Sequence, residues 1–346
     1  MGYQEIFGYL SALPSSVTVY VDKSRISSAV YNALAPHCRQ IEGVSVVTML
    51  KSYKNEAELA GVHRSMHRDG VALTRFFMWL EAALKRGETP TEVEIDRILA
   101  EHRAQSDMYI GDSFDTICGY QDHGAIVHYR ATPESAYTLR NEGVLLLDSG
   151  AQYKDGTTDI TRTIALGEAE PQADLKVDYT LVLKGHIAIA TAQFPEGTRG
   201  NQLDILARKA LWDRALSYGH GTGHGVGIAL NVHEGPQNIR TDNNPTPMAV
   251  GTFTSNEPGL YRAGKWGIRI ENLIVTKENC RSEFGTFLGF ETVTLCYLDN
   301  RLVEKSLLTA EEIAWYNAYQ EKVYQEISPL LTAEEAAWLR EKTQKL

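Results

Sequence analysis

Two aspartates, Asp148 and Asp159, are the first residues whose spacing suggests chemistry. Asp148 ends an apolar Val-Leu-Leu-Leu run, and Asp159 follows eleven positions later, beyond the turn sequence Lys-Asp-Gly at 154–156. An odd separation can place two residues opposite each other in an antiparallel pair, where facing carboxylates repel unless a cation lies between them. Either aspartate alone could end a strand or lie on a solvated face. An unpaired charge at the end of an apolar strand is costly, so the pair is a candidate metal site.

Three histidines lie close together in a second, glycine-rich stretch. His220 and His224 belong to the run His-Gly-Thr-Gly-His-Gly-Val-Gly, and His233 follows nine positions after His224. Glycine on both sides lets a backbone approach a ligand or an ion closely. The run has neither the G-x-G-x-x-G spacing of a dinucleotide loop nor the H-E-x-x-H spacing of helical zinc proteases. Any one of these histidines could be structural, but the group favours a site.

Two glutamates make up a third signal. Glu257 precedes a Pro-Gly turn, and Glu271 follows the alternating run Ile-Arg-Ile in a setting typical of a buried strand. The alternative role for Glu271 is an ion pair with Arg269, two residues away on the same strand face, although burying such a pair is costly.

The three signals together supply four carboxylates and one imidazole. A dinuclear metal site with two bridging carboxylates needs about this set, and four carboxylates balance the charge of two divalent cations. The candidate metal ligands are therefore Asp148, Asp159, His224, Glu257 and Glu271.

The elements that must position these residues fall into a small first part and a large second part. In residues 1–50, strand patterns at 17–21 and 44–47 flank a helical pattern at 24–34, which indicates a small α/β fragment. Two strands are too few for a stable sheet, so the fragment should be the remnant of a larger domain or lean on the rest of the chain. We place the boundary of the second part at residue 51.

Residues 51–346 alternate between helical and strand-rich stretches, which predicts an α+β fold. Helices are expected at 55–86, from Thr91, at 173–193 and at 201–217, with strand-rich regions at 106–166 (candidate strands 124–129 and 143–148) and 219–298. A capping pattern of Asn55 with Glu58 opens the first of these helices, and Thr91-x-x-Glu94 opens the second. Capping boxes Thr309-x-x-Glu312 and Thr332-x-x-Glu335 open two more helices in the tail. The aromatic residues of this tail are spaced to pack onto the domain.

Composition argues for an ordinary folded protein without a polyanionic partner. The chain has 346 residues and a formal charge of −10, from 44 acidic and 34 basic side chains, whereas nucleic-acid binders usually need a cationic surface. Its four cysteines are scattered, with no Cys-x-x-Cys pair. No apolar run approaches the roughly 20 residues that span a bilayer, and the start does not have a signal-peptide pattern. We therefore expect a cytoplasmic protein that binds neither nucleic acid nor membrane.

The five candidate ligands, in this order and within these motifs, resemble the pita-bread metallopeptidase family that contains methionine aminopeptidase, prolidase and aminopeptidase P. The motifs at 124–129, 220–227 and 231–236 and the helical tail from Leu307 look like the larger, cytosolic-type Xaa-Pro aminopeptidases. The resemblance covers about residues 50–346. It implies a pita-bread catalytic domain with pseudo-two-fold halves at 51–346, preceded at 1–50 by a partial creatinase-like N-terminal domain. Full-length members look like three-domain chains, so the first domain and part of the second are expected to be missing.

The resemblance also implies roles for individual residues. Asp148 would bind one metal ion, His224 and Glu257 the other, and Asp159 and Glu271 both. Glu257 would accept the proton as a hydroxide bridging the ions attacks the carbonyl of the first residue. His128 and His233 would contact substrate and stabilise the tetrahedral intermediate, and His220 would be a further active-site histidine.

The implied activity is removal of the first residue from peptides with proline at the second position. The two ions are expected to be Mn²⁺, which the oxygen-rich ligand set also favours, with Co²⁺ or Zn²⁺ as substitutes. A homodimer is expected from the resemblance and from the prevalence of two-fold oligomers. The alternatives are prolidase, which cuts only dipeptides, the metal-free creatine amidinohydrolase, which the ligand set disfavours, and a non-catalytic pita-bread binding module.

Overall fold

The computed structural model describes residues 2–346, which form two compact units, one ending at Ser52 and the other running Tyr53–Leu346. The first unit is a small α/β fragment around a parallel two-stranded sheet, in which Thr18 pairs with Arg39. Its elements are α1 (Ile6–Ser11), β1 (Thr18–Val21), α2 (Ser28–Ala33), β2 (Arg39–Glu42) and α3 (Val46–Ser52).

The predicted strand at 44–47 is wrong, because Val46 and Val47 begin helix α3 and the second strand lies earlier, at Arg39–Glu42. That strand has a single apolar residue, Ile41, and every one of its residues is exposed. A strand of this kind carries no apolar alternation, which is the signal that sequence reading depends on. The helix predicted at 24–34 is shorter, since Ser27 caps it by accepting a hydrogen bond from the Val30 amide.

The second unit contains six long helices and fourteen strands within Tyr53–Leu346. The helices are α4 (Glu56–Lys85), α5 (Glu92–Arg103), α6 (Ala173–Ala190), α7 (Gly200–Trp212), α8 (Ala310–Ile327) and α9 (Ala333–Lys342). The strands are β3 (Tyr109–Asp112), β4 (Ile117–Tyr120), β5 (Val144–Ser149), β6 (Ala151–Tyr153), β7 (Gly156–Thr157), β8 (Ile160–Ala165), β9 (Phe194–Pro195), β10 (Gly223–His224), β11 (Asn238–Ile239), β12 (Phe253–Asn256), β13 (Gly259–Arg262), β14 (Trp266–Arg269), β15 (Asn272–Ser282) and β16 (Gly285–Thr292).

Two antiparallel sheets supply the framework of this unit. In one, β5 lies between β4 and β8, and all six residues of β5 are buried. In the other, the order is β12-β15-β16-β9, and the first five residues of β15 are buried. The ends of these buried strands are therefore places where a polar side chain is held firmly and away from bulk water.

The start of four helices follows from capping boxes, as predicted. Asn55, Thr91, Thr309 and Thr332 are the N-caps of α4, α5, α8 and α9, and each accepts a hydrogen bond from the amide three residues on. A glutamate at that third position bonds back to the cap, which satisfies two amide groups at the helix end.

The aromatic tail packs onto the domain, which confirms the prediction. Tyr316 and Tyr319 of α8 are buried in the main hydrophobic cluster, and Trp315, Tyr324 and Trp338 are partly buried against it. Across residues 2–346, no helix combines the length and apolar character that crossing a membrane requires.

The segment 124–129 is not a strand, contrary to the prediction. It begins in a 3₁₀ helix, Gln121–Ala125, and continues in turns. The cause is close packing between backbones: a Cβ on Gly267 would lie 1.7 Å from the carbonyl oxygen of Gly124. Only glycine permits this approach, and it fixes the segment that leads into His128.

Candidate active site

All eight residues predicted for the site line a single cavity of about 710 Å³. The structure thus brings together five candidate metal ligands and three further histidines from distant parts of the sequence. The predicted residues in the lining are His128, Asp148, Asp159, His220, His224, His233, Glu257 and Glu271.

The two aspartates come from the end of β5 and the residue before β8. Asp148 is paired across the sheet with Thr161 and not with Asp159, so the predicted register is wrong. The turn at 154–156 connects β6 to β7, a separate short hairpin inserted between the two strands. One oxygen of Asp148 accepts a hydrogen bond of 2.6 Å from Arg269, while its Oδ1 is buried without a partner.

The two glutamates flank a strand pair of the other sheet. Asn256 ends β12 and pairs with Asn272, which begins β15, so Glu257 and Glu271 lie next to each other beyond that pair. Glu271 is buried, and its Oε2 accepts a hydrogen bond of 2.7 Å from the Thr161 hydroxyl. Arg269 does not pair with Glu271, as the alternative interpretation required, but with Asp148.

His224 occupies the centre of the carboxylates. Its Nδ1 is 2.9 Å from the Gly225 carbonyl and donates to it, so its Nε2 is left facing the carboxylates. That Nε2 lies 3.3 Å from an oxygen of Asp159 and 3.5 Å from one of Glu257. A ligand nitrogen oriented by a hydrogen bond from the other ring nitrogen is the usual arrangement at metal sites.

The pKa values of the cluster are shifted because several carboxylates lie close together and are buried away from water. Burial raises the pKa of Asp159, and repulsion from Asp148 adds to it. Burial also raises the pKa of Glu257 to about 7, and that of Glu271 well above its usual range, with Asp159 the strongest repelling neighbour of both. For His224, burial lowers the pKa, but the hydrogen bond to Asp159 and the charge of Glu257 outweigh it and raise the value to about 9.

The three remaining histidines line the cavity around this cluster. The His233 ring lies edge-to-face with that of His224, at 4.2 Å between centroids. Nε2 of His220 is 2.7 Å from the Tyr261 hydroxyl. Burial lowers the pKa of both His220 and His233 to about 4, helped by positive neighbours. His128 lies across the same cavity.

The residues fit a pair of divalent cations. One ligand atom each of Asp159, His224 and Glu271 lie within 4.8 Å of one another, and Glu257 is adjacent to His224. The buried Oδ1 of Asp148 has no partner, and such an atom needs one. Carboxylates buried this close are costly unless cations neutralise them, and Arg269 offsets only one of the four charges.

The sequence did not indicate several residues in the wall of the cavity or directly behind it. Arg269 and Tyr261 form a chain of hydrogen bonds, in which Arg269 donates to the Tyr261 hydroxyl at 2.8 Å. The alternation of Arg269 with Glu271 gave a signal for a buried arginine, but not for its partner. The apolar wall, made by Phe114, Ile117 and Val127, carries no motif.

This combination of a buried anionic cluster and flanking histidines has a counterpart among known proteins. The model of metallopeptidase family M24 matches residues 60–278, and that of the C-terminal region of peptidase M24 matches residues 286–346. The chain therefore belongs to the metallopeptidase family M24 and has its pita-bread fold, as the resemblance predicted.

Three individual proteins show which members of this family the chain is similar to. The chain is 43% identical to a probable Xaa-Pro aminopeptidase P of Coprinopsis cinerea, over 95% of this chain and 56% of that protein. It is 47% identical to aminopeptidase P2 of Arabidopsis thaliana, over 83% of this chain and 41% of that protein. An X-prolyl aminopeptidase from Caenorhabditis elegans, described as a cytosolic enzyme with a di-nuclear active site, superposes with a TM-score of 0.93 at 37% identity, over 99% of this chain and 57% of that one. The chain thus spans about half the length of the relatives it matches.

Proposed function

We propose that the chain is a dinuclear metallo-aminopeptidase that hydrolyses the bond between a first residue and a proline at the second position. The observation that carries the proposal is the convergence of four carboxylates and His224 in one cavity, with three more imidazoles around them. Names of the relatives support the same activity, since they are Xaa-Pro aminopeptidases rather than prolidases.

The proposed ligands are those predicted from the sequence: Asp148 for one ion, His224 and Glu257 for the other, with Asp159 and Glu271 shared. When bound, two divalent ions would lower the pKa of water and polarise a carbonyl group. Mn²⁺ suits a set dominated by carboxylate oxygen, and Co²⁺ or Zn²⁺ are the expected substitutes. Elemental analysis after dialysis against Mn²⁺ should find close to two ions per chain. A stoichiometry near zero would revive the binding-module alternative.

The residues of the chain itself account for the proton transfers and the orientation of substrate. Glu257 lines the cavity beside His224, and its carboxylate would accept the proton of the attacking water. His128 and His233 would contact substrate and stabilise the charge that develops on the carbonyl oxygen. His220, whose Nε2 is 2.7 Å from the Tyr261 hydroxyl, would be a further active-site histidine. Arg269 holds Asp148 in place.

Two peptides separate the aminopeptidase from its nearest alternative. The purified protein is incubated with Mn²⁺ and either Arg-Pro-Pro or the dipeptide Ala-Pro, with Arg-Ala-Pro as a control that has no proline at the second position. Release of arginine from Arg-Pro-Pro alone supports the proposal. Cleavage of only the dipeptide would indicate prolidase. Absence of cleavage of all three peptides by protein that binds two ions would contradict the proposed activity of this chain.

We further propose that the protein acts in the cytoplasm and as a homodimer. The cytosolic description of the C. elegans enzyme supports the first point. For the second, α7 exposes three apolar side chains, Ile205, Leu206 and Trp212, which a second copy of the chain could cover. Sedimentation at micromolar concentration should show a dimer, and Trp212→Glu should weaken it. A wild-type monomer would refute this part of the proposal.

A further inference from the structure

Glu92 is a buried carboxylate outside the cavity. It accepts hydrogen bonds from the segment Tyr120 to Tyr137, part of which reaches into the cavity. Glu92 is the first residue of α5, and its side chain is fully buried. It accepts hydrogen bonds from the amides of Tyr120 and Tyr137, at 2.8 and 2.7 Å, and from the Tyr129 hydroxyl at 2.9 Å. Nδ1 of His123 lies 3.0 Å from both of its oxygens. Every partner acts as a donor, which matches the acceptor-only chemistry of a carboxylate.

The same loop closes on itself around this carboxylate. The His123 ring stacks on that of Tyr137, with 3.5 Å between centroids and 12° between planes, and packs at 4.4 Å against that of Tyr129. The segment from Tyr120 to Tyr137 is therefore held at its beginning, in its middle and at its end.

His128 lies inside this segment, next to Tyr129, and lines the catalytic cavity. Its imidazole forms no hydrogen bond with another side chain or backbone group of residues 2–346, so its position depends on the backbone that carries it. A histidine that must meet a developing charge has to be placed accurately, because an error of about 1 Å can cost roughly 100-fold in rate.

We propose that Glu92 is a positioning residue: it fixes the loop 120–137 and thereby places His128 for catalysis. The inference rests on the proposed function, because it takes His128 to act on the substrate. None of the groups that contact Glu92 belongs to the cavity lining, so its effect on the reaction must pass through the loop.

The substitution Glu92→Gln tests this with almost no change in volume. One oxygen of Glu92 faces the Tyr120 amide and the other faces the Tyr137 amide. A glutamine must therefore turn its NH₂ group towards one of these two N–H groups, which cannot reverse and accept. One of the two amides therefore loses its side-chain acceptor whichever way the glutamine points, which weakens the hold on that end of the segment. The control is Glu94→Gln, the same change two residues later, where the carboxylate bonds only to Thr91 in the capping box.

The experiment combines a double-mutant cycle with hydrogen exchange. In the Mn²⁺-loaded protein, Glu92→Gln should lower kcat on an Xaa-Pro peptide by about 10- to 100-fold. In a His128→Ala background the same change should lower kcat by less than about threefold, because the group it positions is gone. Hydrogen exchange of the amides in 121–137 should accelerate, while exchange in 219–233 and the metal content should stay unchanged. The control Glu94→Gln should match the wild type in kcat, hydrogen exchange and metal content.

Equal losses of kcat in both backgrounds, or unchanged exchange in 121–137, would overturn the proposal. If Glu92→Gln does not fold, Tyr129→Phe removes a single donor and keeps the ring, and it should show the same non-additivity with a smaller loss. If the wild-type protein cleaves no Xaa-Pro peptide, the proposed function fails, and hydrogen exchange alone decides whether Glu92 anchors the loop.

Discussion

His186 should make the stability of the unit Tyr53–Leu346 depend on pH. The side chain lies on α6 and is completely buried. Its Nδ1 is 3.1 Å from the Asn256 carbonyl, and its Nε2 is 3.0 Å from the Asn272 amide nitrogen. These neighbours select the neutral tautomer, in which Nδ1 donates and Nε2 accepts. Burial, with a smaller contribution from the charge of Arg162, lowers the pKa of His186 to about 3.

The magnitude follows from the difference between the folded and unfolded pKa values of this one group. The ordinary value is 6.5 and the folded value is about 3, so between these pH values the unfolded chain binds a proton that the folded chain does not. Stability is therefore complete above pH 6.5 and is lost as the pH falls towards 3. At pH 5 the loss relative to pH 7 amounts to about 2 kcal/mol, at 1.36 kcal/mol per pKa unit.

Urea unfolding at pH 7 and pH 5, with a chelator present, measures this loss. His186→Gln keeps an amide donor and an oxygen acceptor but does not titrate, so the wild type should lose about 2 kcal/mol more than the variant over this interval. Other titrating groups cancel in the comparison. Tryptophan fluorescence reports this unit because it contains all five tryptophans of the chain, at 79, 212, 266, 315 and 338. Equal losses in both proteins would refute the reasoning.

Other substitutions test the site and its supports. His224→Ala should lose bound metal together with turnover, whereas His233→Ala and His128→Ala should keep both ions in elemental analysis while turnover falls roughly 100- to 1000-fold; metal loss in the His233 variant would contradict the assigned roles. Arg162→Met removes a buried guanidinium that donates to four backbone carbonyls, so the free energy of unfolding in urea should fall by at least about 3 kcal/mol, and a loss below about 1 kcal/mol would contradict this. Gly267→Ala puts a methyl group 1.7 Å from a carbonyl oxygen of the neighbouring 3₁₀ helix, so both melting temperature and kcat should fall, and an unchanged kcat would show that this contact does not influence catalysis.

Features of the fold that depend on neighbours in sequence could be predicted. The N-caps Asn55 and Thr91 bond to residues three positions away, so a short motif contains the whole interaction. The strand Arg39–Glu42 could not be found, because its pairing with β1 is parallel and leaves its side chains exposed. The turns that replace a strand at 124–129 arise from packing against Gly267, which is distant in sequence.

The same distinction holds for the candidate site. The residue types with unusual chemistry, such as Asp148 and Glu271, were visible because buried charges contradict their apolar surroundings. Their partners were not visible. Arg269 is two residues from Glu271 in the sequence, but it pairs with Asp148, which is 121 residues away. Glu92 escaped notice for another reason: it looks like an ordinary acidic residue in the first turn of a helix, and only the folded loop shows its bonds.

The division of the carboxylates between two sheets has a consequence for synthesis of the protein. Asp148 lies in the sheet β4-β5-β8 and Asp159 directly precedes its strand β8, while Glu257 and Glu271 follow and precede strands of the sheet that contains β12 and β15. A nascent chain that has left the ribosome only as far as α7 carries both aspartates and neither glutamate. In the proposed arrangement no hydrolytic centre exists until β15 has emerged and paired, so the chain could not cleave other polypeptides before both sheets have begun to form.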